Sequence, residues 1–262
     1  MVLPHGIDLS VWRTVVCGLG PPQRFHAGIG HHVIVPVFVH GSGFTGAIFA
    51  DQRAAFANSH APNLPGHDAP GGCSTIAEFA DFIEAYLSRN GLHEVCLCGN
   101  SMGGAIALQV GLRQNARVRA LALLGSGARL RVAPWLLKGL RTDFEGTVGT
   151  IASKLYAQPS HEDLSRAVTF MRNVGPAQTR ADYEACNAFD VTERLAELEV
   201  PVLAIAGEND VMTPPKYAQF VAARVRDGRV RVVPGAGHLM MAERPSETNE
   251  ALADFVQSVN RS

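Results

Sequence analysis

The chain has 262 residues, of which 47% are apolar and 18% charged, a balance typical of a folded globular protein and not of a disordered one. At this length it can bury a core large enough to fold without disulfides or structural metals. Its 24 acidic and 23 basic side chains leave a net charge of −1, which gives no electrostatic case for binding nucleic acid or an anionic membrane.

The first 35 residues contain two short β-favouring runs, at 11–16 and 32–35, separated by a turn rich in glycine and proline at 18–22. They predict an N-terminal β-ribbon at the edge of a sheet. The paired histidines 31 and 32 have no third ligand at metal-site spacing, so we expect them to be solvent-exposed. No basic region precedes an apolar run, and no stretch is long enough to span a bilayer, so a cytoplasmic protein is expected.

The first buried strand is predicted from Val37, because Pro36 is tolerated at the start of a strand and not in its middle. This strand leads into His40-Gly41-Ser42-Gly43, a loop whose small residues let backbone N–H groups approach a ligand closely. We expect the N–H of Ser42 or of Gly43 to form one half of an oxyanion hole. His40 is expected to organise the loop by hydrogen bonding rather than to transfer protons.

Between this loop and the next buried strand, the pattern predicts a helix over 47–57, a short strand over 59–62 and a loop over 63–68. Thr75 and Glu78 form a capping box that opens an amphipathic helix over 76–90, and Gly91 closes it. The next strand begins at Val95 and is followed by a helix to about residue 114 and a buried strand over 120–124.

Residues 95–104 are the stretch around which the chain is organised. An apolar, β-favouring run leads into Gly99-Asn100-Ser101-Met102-Gly103-Gly104 and then into good helix formers, the context of a nucleophile elbow. Such a turn holds the serine in a strained conformation with its hydroxyl exposed, and Gly99 and Gly103 let strand and helix pass closely. The helix directs its first N–H groups towards Ser101, so we expect the Met102 N–H to be the other oxyanion donor.

The chain has five cysteines, at Cys17, Cys73, Cys96, Cys98 and Cys186. Their number is odd, and their spacing fits neither a disulfide framework nor a zinc site. Cys96 and Cys98 share one face of the strand before the elbow, where cysteine behaves as a small apolar residue. We therefore expect both to pack in the core.

The alternation of strand and helix stops between residues 125 and 200. Helical periodicity appears in pieces, over 134–140, 144–155, 162–173, 180–187 and 191–198. This pattern predicts a core made of residues 1–125 and 200–262, with a helical cap over 126–199. Most apolar cap residues are expected only to pack, and a few to line a substrate pocket. The candidate pocket residues are Phe44, Trp135, Leu136, Leu140, Phe170 and Leu239.

A catalytic serine needs a base and an orienting acid, which α/β folds place at the carboxyl ends of strands. Of the ten histidines, His238 alone lies in a Gly-rich loop just after a terminal strand, predicted over 229–233. Asp210 follows the strand 201–207, and Glu208 on the same loop is the competing acid. We prefer Asp210 because it lies further past the strand end and precedes the turn at Thr213. A helix over 245–259 closes the chain.

These segments resemble the α/β-hydrolase family, in the branch of small serine hydrolases with a helical cap. The resemblance rests on residues 40–43, 63–67, 99–104, 207–214 and 235–238. It implies an α/β fold with a mostly parallel central sheet flanked by helices, a helical cap inserted after the sixth strand, and a triad of Ser101, Asp210 and His238. Asn100 stands where many relatives have histidine, and asparagine also occurs there in active members.

The resemblance suggests a carboxylesterase for small to medium acyl esters, with no metal or organic cofactor, acting as a monomer or homodimer. Ser101 disfavours the haloalkane dehalogenases and epoxide hydrolases of this fold, which use an aspartate nucleophile. Carbon–carbon bond hydrolases of ring-fission products share a similar elbow, but usually carry a glycine- and proline-rich run where this chain has residues 42–46. The sequence does not distinguish an esterase from a lactonase, a thioesterase or a perhydrolase. It is also compatible with a ligand receptor that retains the triad.

Overall fold

The computed structural model describes residues 34–261. Five parallel strands form one sheet, in which neighbours along the chain are also neighbours in space: β1 Val35–Val39, β2 Val95–Asn100, β3 Val118–Leu124, β4 Val202–Gly207 and β5 Gly228–Val233. Because all five run in one direction, their carboxyl ends meet at the same edge of the sheet. The predicted strand over 11–16, the turn over 18–22, the histidines 31 and 32 and Cys17 lie outside the described residues.

Ten α-helices are described: α1 Ala50–Ala55, α2 Ile76–Arg89, α3 Met102–Leu112, α4 Pro134–Thr142, α5 Phe144–Leu155, α6 His161–Val174, α7 Pro176–Ala188, α8 Pro215–Ala222, α9 Met240–Glu243 and α10 Pro245–Asn260. The capping box before α2 is confirmed, because the Thr75 hydroxyl accepts the Glu78 N–H and the Glu78 carboxylate accepts the Thr75 N–H. Among residues 34–261, no helix combines the length and the apolar character that crossing a membrane requires.

Strands β1 to β4 are largely buried on both faces, as expected of a parallel sheet covered by helices, whereas most residues of β5 are exposed. Alternate residues of one face, such as Phe38 and Ile205, join an apolar cluster with α10. Those of the other face, such as Val39 and Leu121, pack against α2 and α3. Cys96 and Cys98 are both buried on the first face with their sulfurs 3.7 Å apart, so the expected packing role is confirmed.

Two strand predictions are wrong. β1 begins at Val35 and includes Pro36, which an edge position of the described sheet tolerates because one side of the strand needs fewer N–H donors. The strand expected over 59–62 is a single bridge between His60 and Val37.

The segment between β3 and β4 holds four α-helices, α4 to α7, and a short 3-10 helix at Thr192–Glu197. Its apolar side chains, among them Leu140, Ile151 and Met171, belong to the same cluster as Phe44 from the sheet side. Helix α7 begins at Pro176, earlier than predicted, because proline is accepted in the first turn of a helix. The insertion follows the third described strand. The predicted count of six also included the segment 59–62, which is a single bridge, and the two N-terminal runs, which lie mostly outside the described residues.

Candidate active site

The turn between β2 and α3 has the geometry of a nucleophile elbow. Ser101 adopts φ +53° and ψ −115°, a conformation that residues other than glycine rarely adopt. A Cβ on Gly99 would lie 2.1 Å from the carbonyl oxygen of Gly103, and one on Gly103 would lie 2.0 Å from that of Val39. Only glycine fits at either position, which confirms the predicted close passage of strand and helix.

Hydrogen bonds from neighbouring strands hold this turn in place. The Ser101 N–H donates to the Leu124 carbonyl at 2.9 Å, and the Ser126 hydroxyl donates to the Ser101 carbonyl at 2.7 Å. The Asn100 amide donates to the carbonyls of Leu124 at 3.1 Å and His238 at 3.4 Å. Asn100 therefore ties the strand before Ser101 to the loop that carries His238.

His238 and Asp210 lie in contact beside the elbow. His238 Nδ1 is 2.9 Å from Asp210 Oδ2, and both side chains are buried. A neutral imidazole that donates from Nδ1 to a carboxylate leaves Nε2 free to accept a proton. Gly125 lies against the pair with φ +55°, and a Cβ there would be 3.1 Å from His238 Nδ1 and 3.2 Å from Asp210 Oδ2.

Asp210 is held by four donors. Its Oδ1 accepts the N–H of Met212 at 2.8 Å and that of Thr213 at 2.9 Å, and its Oδ2 accepts the Thr213 hydroxyl at 2.8 Å as well as His238. Burial would raise the pKa of this carboxyl, but His238 and the hydrogen bonds outweigh burial and lower the pKa to about 2. Asp210 is therefore ionised throughout the neutral range.

The competing acid, Glu208, has another partner. Its carboxylate is exposed and accepts the Gly235 N–H at 2.9 Å. This hydrogen bond stabilises the loop before His238 from its solvent side. On the other side of that loop, Glu243 accepts the N–H groups of Gly237 at 2.6 Å and Ala157 at 2.8 Å. The preference for Asp210 over Glu208 agrees with these contacts.

Ser101 and His238 line one cavity of about 60 Å³. Among residues 34–261, no hydrogen bond joins the Ser101 hydroxyl to His238, and catalytic hydrogen bonds of this kind often tighten only in the substrate complex. The remaining lining side chains come from the loop after β1, the segment before α4, α7, and the loop and helix after β4: Ser42, Leu130, Arg131, Val132, Tyr183, Cys186, Met212, Thr213 and Tyr217.

Ser42 lines this cavity and Met102 directly follows Ser101, and the backbone N–H of neither residue donates to a partner in the described part of the chain. The expectation that Gly43 could supply the donor is wrong, because its N–H already donates to Asp182 Oδ2 at 2.9 Å. Ser42 and Met102 stay the predicted oxyanion donors.

His40 has the structural role expected of it. Its Nε2 accepts the Leu64 N–H at 3.0 Å, so the proton is on Nδ1, which donates to the Gly41 carbonyl at 3.0 Å. Burial, helped by the nearby His67, lowers the pKa of His40 to about 3. His40 therefore stays neutral and fixes the loop before Ser42.

A second buried His–Asp pair, which sequence reasoning missed, supports the same loop. His67 Nε2 lies 2.9 Å from Asp182 Oδ2, both side chains have no exposed surface, and His67 Nδ1 donates to the Pro65 carbonyl at 3.1 Å. Asp182 Oδ1 accepts the Gln178 amide at 2.8 Å. Burial lowers the pKa of His67, but Asp182 and the backbone hydrogen bonds outweigh it and raise the pKa above its ordinary value. His67 thus holds Asp182 of α7 where its carboxylate accepts the Gly43 N–H.

We expect Asp182→Ala to lower the free energy of unfolding by about 3–5 kcal/mol near pH 6, because it leaves a buried imidazolium and the Gly43 N–H without partners. Since the pKa of His67 is raised by folding, the pair contributes in full below about pH 6.5 and its contribution is lost as pH rises through the folded-state pKa. Urea unfolding at several pH values measures both effects. Glu197→Ala, which breaks the exposed pair with Arg194, is the control and should change stability far less. A small, pH-independent loss for Asp182→Ala would contradict the prediction.

None of the six predicted pocket residues lines the cavity at Ser101. Leu136, Leu140 and Leu239 are buried in the main apolar cluster, Phe44 packs on Phe170 with ring centroids 5.3 Å apart, and Trp135 is 50% exposed. The prediction fails because the apolar face of α4 turns towards the core, while the segment 130–132 before it faces Ser101. Within residues 34–261, no three histidine, cysteine, aspartate or glutamate side chains come together as a metal site would require.

A family model described as the alpha/beta hydrolase family matches residues 37–251. Among solved structures, one described as a thermophilic esterase is 31% identical, with a TM-score of 0.78 over 86% of this chain and 90% of that one. Est816, described as an N-acyl homoserine lactone degrading enzyme, is 28% identical, with a TM-score of 0.75 over 86% of this chain and 94% of that one. A putative carbamate hydrolase, RutD of Azorhizobium caulinodans, is 25% identical over the full length of both chains.

Proposed function

Because this chain belongs to the alpha/beta hydrolase family, we propose that it is a serine hydrolase that transfers the acyl group of a small carboxylic ester to water. One observation carries the proposal: a buried His238–Asp210 pair, 2.9 Å apart, shares a cavity with a serine held at φ +53° on a strand-to-helix turn. A plain structural turn would require neither the strained serine nor an ionised carboxylate on the histidine.

The proposed reaction uses these groups in two steps. Ser101 Oγ attacks the ester carbonyl carbon while His238 Nε2 takes its proton, and the N–H groups of Ser42 and Met102 bind the oxyanion. Asp210 stabilises the imidazolium, which then protonates the leaving alkoxide, and the acyl group stays on Ser101. Water, activated by the same histidine, attacks the acyl-enzyme and releases the acid and Ser101.

The cavity volume predicts a preference for short acyl groups. About 60 Å³ corresponds to a few water molecules, so the cavity itself accepts an acetyl group, whereas an octanoyl chain has to extend past its lining side chains. On p-nitrophenyl esters from acetate to decanoate, we expect kcat/KM to be greatest at two to four carbons and to fall by at least about 10-fold at octanoate. An optimum at eight or ten carbons would contradict this size limit.

The same panel tests the proposed function. Sustained, multiple turnover of a short ester supports an esterase, whereas a single slow turnover would favour the receptor that retains a triad. No turnover by folded protein would contradict the ester proposal. A lactone belongs on the panel, because the 28% identical Est816 is described as degrading one.

A further inference from the structure

A second, larger cavity of about 470 Å³ lies next to the one at Ser101. Arg131 and Tyr217 line both cavities, so the two meet at these side chains. We call the second cavity the basic groove; its lining includes Arg129, Arg131, Thr192, Lys216, Tyr217 and Phe220.

The basic groove has an unbalanced charge. Three of its lining side chains are cationic, and no carboxylate lines it in the described part of the chain. Arg129 is paired with Asp190 at 3.1 Å. Arg131 and Lys216 form no ion pair with any residue from 34 to 261, so their charges are available to a ligand. The chain as a whole is almost neutral, with a net charge of −1, so this concentration of positive charge is local.

The backbone beneath Arg131 is fixed on both sides. Arg129 forms an antiparallel bridge with Asp190, and the Val191 N–H donates to the Ala128 carbonyl at 2.8 Å. The Val132 N–H donates to the Asn187 side chain at 3.2 Å. In this stretch Leu130 and Val132 line the cavity at Ser101, Arg129 lines the groove, and Arg131 lines both.

Tyr217 is fixed as well. A Cβ on Gly127 would lie 2.7 Å from its ring, so the ring packs directly on the backbone at Gly127. Arg131 and Tyr217 therefore lie between the nucleophile and the part of the groove that Lys216 lines. An anion held by an arginine fork and a lysine is bound by charge-assisted hydrogen bonds, the strongest kind that side chains form.

We propose that the preferred substrate carries an anionic group, a carboxylate or a phosphate, which binds Arg131 and Lys216 in the basic groove while the scissile carbonyl lies at Ser101. This inference rests on the proposed function and adds the substrate class. A neutral ester of the same size leaves the two cations unpaired, so it gains less binding free energy in the transition state.

The first test compares matched esters with wild-type protein at low ionic strength. In the first pair, monomethyl glutarate carries a carboxylate on its acyl group and dimethyl glutarate does not. In the second pair, 4-acetoxybenzoate carries a carboxylate on its leaving group and methyl 4-acetoxybenzoate does not. We expect kcat/KM to be about 10- to 100-fold higher for the anionic member of at least one pair. 4-Acetoxyphenyl phosphate distinguishes phosphate from carboxylate. Equal or lower values for both carboxylates and the phosphate would overturn the proposal.

The second test uses variants. Arg131→Gln and Lys216→Gln are each expected to lower the anionic-to-neutral ratio by about 10-fold, and Lys216→Glu to lower it further. Lys154→Gln, an exposed lysine on α5 outside the groove, is the control and should leave the ratio unchanged. An unchanged ratio in all three groove variants would overturn the assignment.

A binding measurement separates this inference from the proposed function. Calorimetry on Ser101→Ala should show tighter binding of monomethyl glutarate or 4-acetoxybenzoate than of the corresponding neutral ester. Anion-selective binding with no turnover by wild type would contradict the esterase and leave the groove assignment standing. Turnover without anion selectivity in either rate or binding would contradict the groove assignment alone.

Discussion

Ser101→Ala is expected to abolish sustained ester turnover, lowering kcat by about 10⁴- to 10⁶-fold. The alanine removes the oxygen that forms the acyl-enzyme. The other hydroxyl in contact with His238, that of Thr213, donates to Asp210 and lies 3.2 Å from Nδ1, not at the reacting Nε2. Initial rates on p-nitrophenyl acetate measure the loss. After reaction with a fluorophosphonate, mass spectrometry of the intact protein should show one covalent adduct on wild type and none on the variant.

The control for this experiment is Ser153→Ala, which removes an exposed serine hydroxyl on α5 that donates only to the Thr150 carbonyl. Its rates and labelling should match wild type. Residual turnover above about 1% in a folded Ser101→Ala protein would show that another group is the nucleophile and would contradict the triad.

Asp210→Asn is expected to lower kcat by about 10⁴-fold while leaving the fold intact. The N–H groups of Met212 and Thr213 both point at Oδ1, so the side-chain carbonyl of the asparagine is held there. Its NH₂ then takes the place of Oδ2 and donates to His238 Nδ1. The histidine proton is forced onto Nε2, which can no longer accept the proton of Ser101.

Glu208→Gln is the matched control, because it removes the charge of the other acid on this loop and keeps an oxygen for the Gly235 N–H. We expect its kcat to stay within a few-fold of wild type, and both variants to show unfolding transitions close to wild type. A greater loss of kcat in Glu208→Gln than in Asp210→Asn would assign the orienting acid to Glu208.

The features that could be predicted from sequence depend on neighbours along the chain. Gly99, Ser101 and Gly103 define a strand, a tight turn and a helix within ten residues, and the capping box of Thr75 and Glu78 is equally local. The preference for Asp210 over Glu208 as the triad acid used its distance past the end of β4 and the turn at Thr213; the Asp210–His238 contact at 2.9 Å agrees with it, and the role stays a prediction.

The features that were missed depend on contacts between distant segments. The Gly43 N–H is taken by Asp182, 139 residues away, and no property of residues 40–43 indicates that partner. A signal did exist in α7, where Asp182 places a carboxylate on the same helical face as Thr179 and Cys186, the face that is buried. A carboxylate at such a position requires a buried partner, and His67 is that partner.

The pocket predictions failed for a related reason. Apolar periodicity identifies the buried face of α4, but it does not tell whether that face meets a cavity or the core. Leu136 and Leu140 meet the core, while the cavity is met by the segment before α4, at Leu130, Arg131 and Val132.

The Asp182–His67 pair has a consequence for how the protein folds. The sheet and its flanking helices assemble largely from contacts between consecutive elements, whereas this pair joins residues 115 positions apart, and the Gly43 contact closes a longer loop still. Closing long loops is entropically unfavourable, so such contacts form only when much of the chain is already ordered. We therefore expect the loop that presents Ser42 to be completed after the local turn at Ser101 has formed.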